Sequence, residues 1–414
     1  MESLRDIGYD LPSAVADLVD NSIDAGAENV DVTFSDDGAQ SWVRIADDGM
    51  GMTAGELEEA MRYGSESTYS MTALGHFGLG LKTSSLSQCR RLTVASRRRL
   101  KGRIVARSWD LDLVAERNSW DLDNPPKSEL PTQLLEPLQN TTGTVVLWEN
   151  LDRILAFHNP DGAAARRALT TMASDVGSHL GMVFHRFITG EWASGEAFVN
   201  LAVNGEPIVA WDPFARSEPR TRMLPKQAIT LAFDDRESVE LLVQPYVLPA
   251  QTQFSSPKAH RIAAGPNRWN RQQGFYVYRR DRLIQSGGWN RIRTFDEHAK
   301  LARIAIDLPH GYEELFSINV AKMSIAIPEA ARPPLRAIAS AVVQHAQRNY
   351  RDQLDESILE KRHDRGVGKA EPAQHDGPSV TGDWPLILRT VNVALKDDPK
   401  RRDELLVSLA NAFD

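Results

Sequence analysis

In the first third of the chain, hydrophobic residues recur first at the spacing of a helix and then at the alternating spacing of β-strands. Residues 11–25 repeat apolar side chains at a helical period, which predicts a helix that ends before Gly26. Residues 29–34 and 41–46 alternate apolar and polar side chains on either side of an Asp-Asp-Gly turn, which predicts a β-hairpin. The further elements predicted here are a helix near 53–63 and strands at 91–96, 103–110 and 143–148.

The second half of the chain predicts another group of helices and strands. These are a helix at 161–186, a second domain with strands at 197–203, 239–247, 275–279 and 302–307, and a helix at about 330–353. Residues 364–383 are polar and rich in Gly and Pro, which is typical of a flexible linker. This order of elements favours an α+β fold with helices on one face of a mixed sheet. The predicted domains are 1–155, 156–355 with the linking helix, a linker over 356–383, and a short helical segment over 384–414.

Composition narrows the class of protein. The chain has 414 residues, of which 42% are hydrophobic and 25% charged, as in ordinary globular proteins of two domains. Its net charge of -8 argues against a wholly basic nucleic-acid binder but leaves room for local basic patches. Cys89 is the only cysteine, which excludes an internal disulfide and a thiolate metal cluster. Because the sequence has neither a membrane-spanning apolar run nor a signal-like start, we expect a cytoplasmic protein with no membrane partner.

Polar side chains form a stripe along the first predicted helix. The stripe consists of Asp17, Asp20, Asn21 and Asp24, and a largely apolar stripe of Val15, Leu18, Val19 and Ser22 is offset from it around the helix axis. Such a polar stripe is typical of a solvated helix face. The same oxygen-rich set also suits a hydrated Mg²⁺, which prefers oxygen ligands and shares phosphate oxygens with its nucleotide.

A glycine-containing turn follows the predicted strand that ends at residue 46. Its sequence is Asp47-Asp48-Gly49-Met50-Gly51-Met52, an Asp-x-Gly-x-Gly pattern. A carboxylate at a strand end can accept a hydrogen bond from an exocyclic amine, and the glycines let the backbone approach a flat base. Alone, the pattern is more often a simple turn. The Thr144 hydroxyl, at the start of a later strand, would complete a base-recognition set.

A second glycine-rich turn runs into a predicted helix. It reads Gly75-His76-Phe77-Gly78-Leu79-Gly80-Leu81-Lys82-Thr83-Ser84-Ser85. The backbone N–H groups of such a turn and the positive end of the helix suit phosphate groups, and Lys82 adds a point charge. A glycine pattern of this kind is a weak indication when it stands alone.

Four pieces are now in place: the polar stripe of the first helix, the turn at Asp47, the glycine-rich turn from Gly75 and the strand with Thr144. In order and spacing, they resemble the nucleotide-binding boxes of the GHKL ATPases, which include gyrase-type topoisomerases, the ninety-kilodalton chaperone, histidine kinases and MutL. The resemblance covers about residues 5–150. Asp-Asn-Ser-Ile-Asp-Ala-Gly-Ala over 20–27 is similar to MutL and MORC proteins, and the turn from Gly75 is most similar to MORC. The resemblance implies a Bergerat-type sandwich of helices on a mixed sheet, an α+β transducer domain after it, and ATP and Mg²⁺ as cofactors.

The resemblance also implies a role for each matched residue. Asn21 would coordinate Mg²⁺, and Asp47 would accept the adenine amine, with Gly51 and Thr144 around the base. Gly49 and Met52 belong to the same base-binding turn. A mobile lid over roughly 62–82 would wrap the phosphates through Gly75, His76, Phe77, Gly78, Leu79, Gly80 and Lys82.

Asp17 departs from the family pattern, because the hydrolysing members usually have a glutamate at this position. Aspartate has the same chemistry but reaches about one methylene less, and water activation depends on close placement. We therefore expect slow hydrolysis with Asp17 as the catalytic base. The alternative is an ATP-binding switch that hardly turns over. Asp20 would either share the base role or orient a neighbouring group.

The second domain carries a predicted hairpin and a lysine loop. Residues 274–289 predict two strands joined by a polar turn at 279–281, and Lys322 lies in the loop 316–325. A lysine in a loop is ordinarily solvent-facing. Both features resemble the transducer domain of MutL-like and MORC-like proteins, in which such a lysine reaches the terminal phosphate. This resemblance implies a catalytic role for Lys322 and a switch in which ATP closes the lid and dimerises the N-terminal domains.

Two arginine clusters stand out against the acidic average. The first spans residues 90–103, and the second, from Arg268 to Arg293, is interleaved with Trp269, Tyr276, Tyr278 and Trp289. Cations mixed with aromatic side chains suit DNA, but pairing with acidic residues of the same chain explains such clusters equally well. One expectation is a homodimeric DNA clamp in a bacterial repair or anti-phage system, with any nuclease a separate partner. The alternative is a chaperone-like or signalling switch that acts on protein partners.

Overall fold

The computed structural model describes residue 5 and residues 9–62, 80–119, 121–157, 159–191, 198–233, 236–309, 311–316 and 325–365. The chain divides into two units, residues 1–357 and residues 358–414, and both β-sheets lie within the first unit. Among the described residues, no helix has the length and apolar character needed to cross a membrane.

Helix α1 (Leu11–Asp24) forms because its sequence supplies a cap and a buried face. The Asp10 carboxylate accepts a hydrogen bond from the Ser13 N–H at 2.9 Å, and Pro12 stands in the first turn, where an N–H has no helical partner. Gly26 follows the helix with a φ of 70°, a conformation that glycine adopts without strain. The helix predicted at 11–25 is confirmed.

The first sheet contains seven strands. They are β1 (Asn29–Ser35), β2 (Trp42–Asp47), β3 (Arg91–Arg97), β4 (Val105–Asp110), β5 (Gly143–Glu149), β6 (Asn200–Val203) and β7 (Glu206–Pro207). Their order across the sheet is β4-β3-β5-β2-β1-β6-β7, with β1 and β6 parallel and the other neighbours antiparallel. The hairpin predicted at 29–34 and 41–46 is therefore confirmed.

Strand β6 corrects one expectation. The sequence pattern placed 197–203 in the second domain, but Asn200–Val203 pairs with residues 29–32 of β1. Asn204 reinforces the join, since its Oδ1 atom accepts the Phe34 N–H at 2.7 Å. An alternating pattern predicts a strand but does not encode which strand lies beside it.

Helices cover the main face of the first sheet. They include α2 (Ala54–Met61), α3 (Gly80–Leu86), α4 (Leu111–Arg117), α6 (Ala163–Val183) and α7 (His185–Thr189). Helix α1 packs against α3 and α6, and its apolar side chains join the main core. On the opposite face, the short helix α5 (Thr132–Leu135) contributes Leu134, which together with Leu138 covers a smaller cluster that includes Val145 and Leu147 of β5. The predicted arrangement of helices on a mixed sheet is confirmed.

The second sheet contains six strands. They are β8 (Arg222–Met223), β9 (Gln227–Phe233), β10 (Arg236–Val247), β11 (Gly274–Arg279), β12 (Arg282–Ser286) and β13 (Ala302–Asp307). Their order is β12-β11-β13-β10-β8, and β9 also pairs with β10. Arg280 and Asp281 join β11 to β12 with φ values of 49° and 66°, as the tight turns of hairpins require. The hairpin predicted at 274–289 is confirmed.

Helices α8 (Pro257–Ala263), α9 (Arg268–Arg271) and α10 (Arg332–Arg365) complete the described elements, apart from single 3₁₀ turns. These turns are Gly38–Gln40, Lys127–Glu129, Glu136–Leu138, Gln251–Gln253, Glu297–Ala299, Glu313–Phe316 and Glu329–Ala331. Helix α10 extends past its predicted end near 353 because no Gly or Pro interrupts the sequence from residue 335 until Gly366. Residues 366–383 of the predicted linker and the predicted segment 384–414 lie outside the described residues.

Candidate functional site

Helix α1 divides its polar stripe between two environments. Asp17 and Asp20 are buried, with 2% and 0% of their surface exposed, whereas Asn21 and Asp24 are exposed. A solvated face is therefore the wrong interpretation for the two buried aspartates. Buried carboxylates require partners, because an uncompensated buried charge is costly.

Asp17 lies between a phenol, a guanidinium and the start of α3. Tyr9 donates its hydroxyl to Asp17 Oδ2 across 2.6 Å, and Arg282 Nη2 lies 3.7 Å from Asp17 Oδ1. Burial raises the pKa of Tyr9, and the negative charge of Asp17 is the second cause of the rise. The phenol therefore keeps its proton and acts as the donor. A Cβ placed on Gly80 would lie 3.5 Å from Asp17 Oδ2. The candidate base therefore lies where the predicted phosphate turn enters its helix.

Asp20 binds the same arginine. Arg282 donates its Nε–H to Asp20 Oδ1 across 2.7 Å, and both side chains are almost fully buried. Arg282 is the first residue of β12, so the second sheet supplies a cation to helix α1. The sequence carries no local signal of this contact, because the partners are 262 positions apart in the chain.

Asp47 gathers donors from three parts of the chain. Its Oδ1 accepts the Gly49 N–H at 3.0 Å and the Thr144 N–H at 3.1 Å, while its Oδ2 accepts the Ser22 hydroxyl at 3.0 Å. Burial raises the pKa of Asp47, and these three hydrogen bonds oppose that rise. Helix α1, the turn after β2 and the start of β5 thus converge on one carboxylate.

Asp48, the next carboxylate in the chain, has a different partner set. Its Oδ1 accepts the N–H groups of Glu28 and Asn29, both at 2.9 Å, and its Oδ2 accepts the Asn29 side-chain amide at 2.6 Å. Asp48 therefore ties the turn to the start of β1. The two adjacent aspartates therefore have different contacts: Asp47 binds Ser22, Gly49 and Thr144, whereas Asp48 binds the start of β1.

Two glycines allow the turn after β2 to pack against its neighbours. A Cβ on Gly51, where φ is 62°, would lie 2.2 Å from the Arg97 carbonyl oxygen. A Cβ on Gly143, where φ is 135°, would lie 1.9 Å from the Asp47 carbonyl oxygen. Both positions therefore require glycine for close backbone approach as well as for conformation.

Ser96 is a site residue that the sequence analysis missed. Its buried hydroxyl oxygen accepts the Met52 N–H at 2.7 Å and donates to the Gly143 carbonyl at 2.9 Å. The Thr144 hydroxyl lies 2.9 Å from the same oxygen. Ser96 thus joins the turn after β2 to β5, and Thr144 reaches Asp47 through its backbone N–H while its hydroxyl contacts Ser96.

The Lys82 side chain of α3 is not exposed to solvent. It is fully buried, and its ammonium group donates to the Arg62 carbonyl oxygen. Burial lowers the pKa of Lys82, and the nearby charge of Glu59 opposes that fall. The predicted phosphate contacts Gly75, His76, Phe77, Gly78 and Leu79 and the predicted catalytic Lys322 lie outside the described residues.

The donor set at Asp47 suits an adenine nucleotide. An ionised carboxylate offers about four acceptor positions, and three protein donors leave one for an exocyclic amine. In the described part of the chain, no group of three or more His, Cys, Asp or Glu side chains is placed to hold a metal ion. Asn21 is an exposed residue, and its amide oxygen is a ligand type that suits Mg²⁺, which takes few protein ligands when it is bound with nucleotide phosphates.

The first arginine cluster is largely engaged within the chain. Arg90 pairs with Asp112 at 2.5 Å, and Arg91 lies 3.6 Å from the Glu149 carboxylate. Arg97 and Arg98 donate to backbone carbonyls. The remaining side chains of the β3–β4 loop, Arg99, Lys101 and Arg103, are exposed and form no ion pair with a described residue.

The second arginine cluster is not an exposed arginine–aromatic surface. Tyr276 and Tyr278 are fully buried and Trp289 is 2% exposed, so the expectation that these rings are available to stack on nucleic-acid bases is wrong. Arg279 and Arg282 are also buried. The arginines of this cluster that remain exposed are Arg268, Arg271 and Arg291.

Comparison with known proteins agrees with the geometry of this site. Residues 9–144 match the family model described as histidine kinase-, DNA gyrase B- and HSP90-like ATPase. The chain is 26% identical over 175 residues to ATPase morc-1 of Caenorhabditis elegans, which covers 34% of this chain and 20% of that protein. It is 38% identical over 92 residues to DNA mismatch repair protein MutL of Rhizobium johnstonii, which covers 21% of this chain and 15% of MutL.

A MutL protein of Rhodospirillum rubrum is 37% identical over 91 residues. The chain thus covers a small part of its relatives, 20% of morc-1 and 15% of the first MutL. The match contains α1, the Asp47 turn, α3 and the start of β5, which are the elements that form the site. Residues 9–144 therefore match the histidine kinase-, DNA gyrase B- and HSP90-like ATPase family, and MORC and MutL proteins are among the relatives of this chain.

Proposed function

We propose that this chain binds ATP with Mg²⁺, hydrolyses it slowly, and uses the cycle to open and close a homodimeric clamp. One observation carries the nucleotide part of the proposal. Asp47 accepts hydrogen bonds from Ser22, Gly49 and Thr144 at a buried strand end, with acceptor capacity left for the adenine amine. The family match supports ATPase activity at the level of the superfamily.

The proposed roles of the other residues follow the site. Asn21 holds Mg²⁺, and Gly51 and Met52 lie along the base. The lid from Gly75 to Gly80 wraps the phosphates, with Lys82 at its end. Mg²⁺, when bound, neutralises phosphate charge during transfer.

Hydrolysis depends in this proposal on residues from both domains. Asp17 orients and deprotonates the attacking water, and Lys322 faces the terminal phosphate. The short reach of Asp17 and its hydrogen bond from Tyr9 both favour a slow reaction, because the bond engages one of the oxygens that would accept the proton.

DNA is the proposed partner of the clamp, in a repair or anti-phage setting with any nuclease on a separate chain. Support comes from the names of the relatives and from the exposed cations Arg99, Lys101 and Arg103, together with Arg268 and Arg291 of the second cluster. A chaperone-like or signalling switch that acts on proteins is the second candidate, favoured by the net charge of -8. Salt-sensitive, ATP-dependent retention of long DNA distinguishes the two.

Binding of labelled ATP in the presence of Mg²⁺ tests the nucleotide site directly. We expect Asp47→Ala to weaken binding about 10- to 100-fold, the value of a hydrogen bond to a charged group. The matched control is Asp48→Ala, which removes the neighbouring carboxylate that binds the scaffold, and we expect binding within about threefold of wild type. Absence of ATP uptake by the wild type, or equal binding by Asp47→Ala, refutes the proposal.

A further inference from the structure

Arg282 of β12 contacts Asp17 and Asp20 of α1, and the proposed ATP cycle assigns it no role. Its guanidinium is 3% exposed and lies between two α1 carboxylates that are themselves 2% and 0% exposed, Asp17 and Asp20. The two aspartates are three residues apart, so they share one side of the helix. One arginine of the second sheet is thereby buried against the candidate catalytic base.

We infer that Arg282 is a positioning residue, which fixes the Asp17 carboxylate for hydrolysis and makes that placement depend on docking of the β11–β12 hairpin. This inference rests on the proposed function. The arginine is anchored by its Nε–H on Asp20 Oδ1 at 2.7 Å, and the anchor directs Nη2 toward Asp17 Oδ1 at 3.7 Å. A planar guanidinium fits this role because its donors have a fixed geometry.

The hairpin that carries Arg282 is itself held firmly. Arg186 donates to Asp281 in the turn at 2.9 Å and also binds Asp307 of β13. The Arg186 guanidinium carbon lies 3.5 Å from the centre of the Tyr278 ring. A group on such a braced element can define a position within a fraction of an ångström, as catalytic placement requires.

Other groups near the two aspartates complete the orientation of Asp17. Tyr9 donates to Oδ2, whereas Arg282 lies near Oδ1, so the phenol and the guanidinium contact different oxygens of one carboxylate. His179 of α6 also faces this region. Burial, and after it the charge of Arg282, lowers the pKa of His179 to about 4, so the imidazole adds no positive charge at neutral pH.

A purely structural role for Arg282 makes a different prediction from a positioning role. If the arginine only compensates buried negative charge, replacing Asp20 and Arg282 together by neutral amides should restore both stability and turnover. If it positions Asp17, the double variant should regain stability and still turn over slowly. The single variant Arg282→Gln cannot separate these roles, because it leaves two buried carboxylates without this partner.

The experiment compares four full-length proteins: wild type, Arg282→Gln, the double variant Asp20→Asn with Arg282→Gln, and Arg186→Gln. The last removes an arginine that braces the same hairpin without touching Asp17, so it tests whether the placement of Asp17 depends on the docked hairpin. Two readouts are measured, steady-state kcat and KM for ATP, and hydrogen exchange of the α1 amides without nucleotide.

We expect Arg282→Gln to accelerate exchange in α1 and the double variant to return it toward wild type. In the double variant, kcat should remain about 100-fold low with KM within about threefold. Arg186→Gln should also lower kcat with KM within about threefold, because it loosens the hairpin that carries Arg282, and wild-type kcat in this variant refutes the dependence on hairpin docking. Wild-type kcat in the double variant refutes positioning, and unchanged exchange in Arg282→Gln refutes the coupling. If the wild type turns over ATP no faster than an Asp17→Asn variant, the proposed hydrolysis is refuted. The hydrogen-exchange measurement would still test the contact between Arg282 and α1, so the two failures can be told apart.

Discussion

The Ser22 hydroxyl donates to Asp47 Oδ2 across 3.0 Å, although 25 residues separate the two in the chain. This bond ties helix α1 to the end of β2. Asp17 lies five residues before Ser22, about 7.5 Å along the helix axis, and Asn21 lies between them. One helix therefore carries the proposed base, the proposed metal ligand and an anchor of the proposed adenine acceptor.

The raised pKa of Asp47 predicts a pH-dependent affinity for nucleotide. The ionised form accepts the adenine amine, and burial makes the folded protein take up a proton at higher pH than the unfolded chain does. Affinity should therefore fall on acidification sooner than for an exposed aspartate. The measurement is ATP affinity across the acid range for wild type and Asp47→Asn, because titration of the ATP phosphates affects both proteins equally. Parallel pH profiles would refute the role of Asp47.

The same shift predicts that Asp47 costs stability at neutral pH. A group whose pKa is raised on folding contributes its stability fully below the unfolded pKa and loses it as pH rises through the folded pKa. We expect Asp47→Asn to leave the nucleotide-free melting temperature at pH 7 unchanged or higher, although ATP binding weakens. A clear loss of stability at pH 7 would show that the three hydrogen bonds outweigh the cost of burial.

Substitution of Asp17 should separate binding from hydrolysis. Asp17→Asn keeps the size of the side chain and removes its basicity, so we expect phosphate release to fall about 100- to 10,000-fold with ATP affinity nearly unchanged. Asp17→Glu is the matched control, since it keeps the carboxylate, and it should retain turnover within about tenfold. Unchanged turnover in Asp17→Asn would remove Asp17 from the mechanism.

Gly51 should be intolerant of a side chain. Its φ is 62°, and an added Cβ would lie only 2.2 Å from the Arg97 carbonyl oxygen. We therefore expect Gly51→Ala to strain the base-binding turn by about 1–3 kcal/mol and to weaken ATP binding. Gly55→Ala in α2 is the control, because no atom lies within 4 Å of its Cβ position and alanine favours a helix. Thermal melts should show a loss for the first variant and no loss for the second.

Local sequence patterns predicted the helices, strands and turns of the site, but they did not predict the long-range contacts that bury its side chains. The helix at 11–25, the hairpin after it and the turn at Asp47 follow from periodicity and glycine placement, and all are present. The burial of Asp20 did not follow, because Arg282 is supplied by a strand 262 residues away. The buried state of Tyr276 was equally hidden, since an alternating strand does not reveal that both of its faces are covered.

Nucleotide should change the mass of the protein in solution. If lid closure accompanies pairing of the N-terminal regions, a non-hydrolysable ATP analogue with Mg²⁺ should convert a species of 46.1 kDa to one of twice that mass. Light scattering during gel filtration measures this, and Asp47→Ala, which binds nucleotide poorly, should remain monomeric in the same buffer. A wild type of constant mass would favour a static nucleotide binder.

Two sets of exposed cations make the DNA proposal testable by position. Arg99, Lys101 and Arg103 surround an exposed Leu100 at the tip of the β3–β4 loop, and the second set is Arg268, Arg271 and Arg291. Each lysine or arginine that neutralises a phosphate contributes about 0.9 to the slope of log affinity against log salt. Replacing a contacting set by alanine should therefore lower that slope by about 3, measured with ATP bound.

A third set, Arg220, Arg222 and Lys226, is the control because it is equally exposed and lies in neither cluster. Its replacement by alanine should leave the slope unchanged. If the control lowers the slope as much as the other sets, attraction is a general effect of charge, and neither cluster is a binding surface. If the wild type shows no retention of long DNA at about 50 mM salt, protein partners become the favoured substrate, because the electrostatic attraction that supports DNA binding is strongest at low salt.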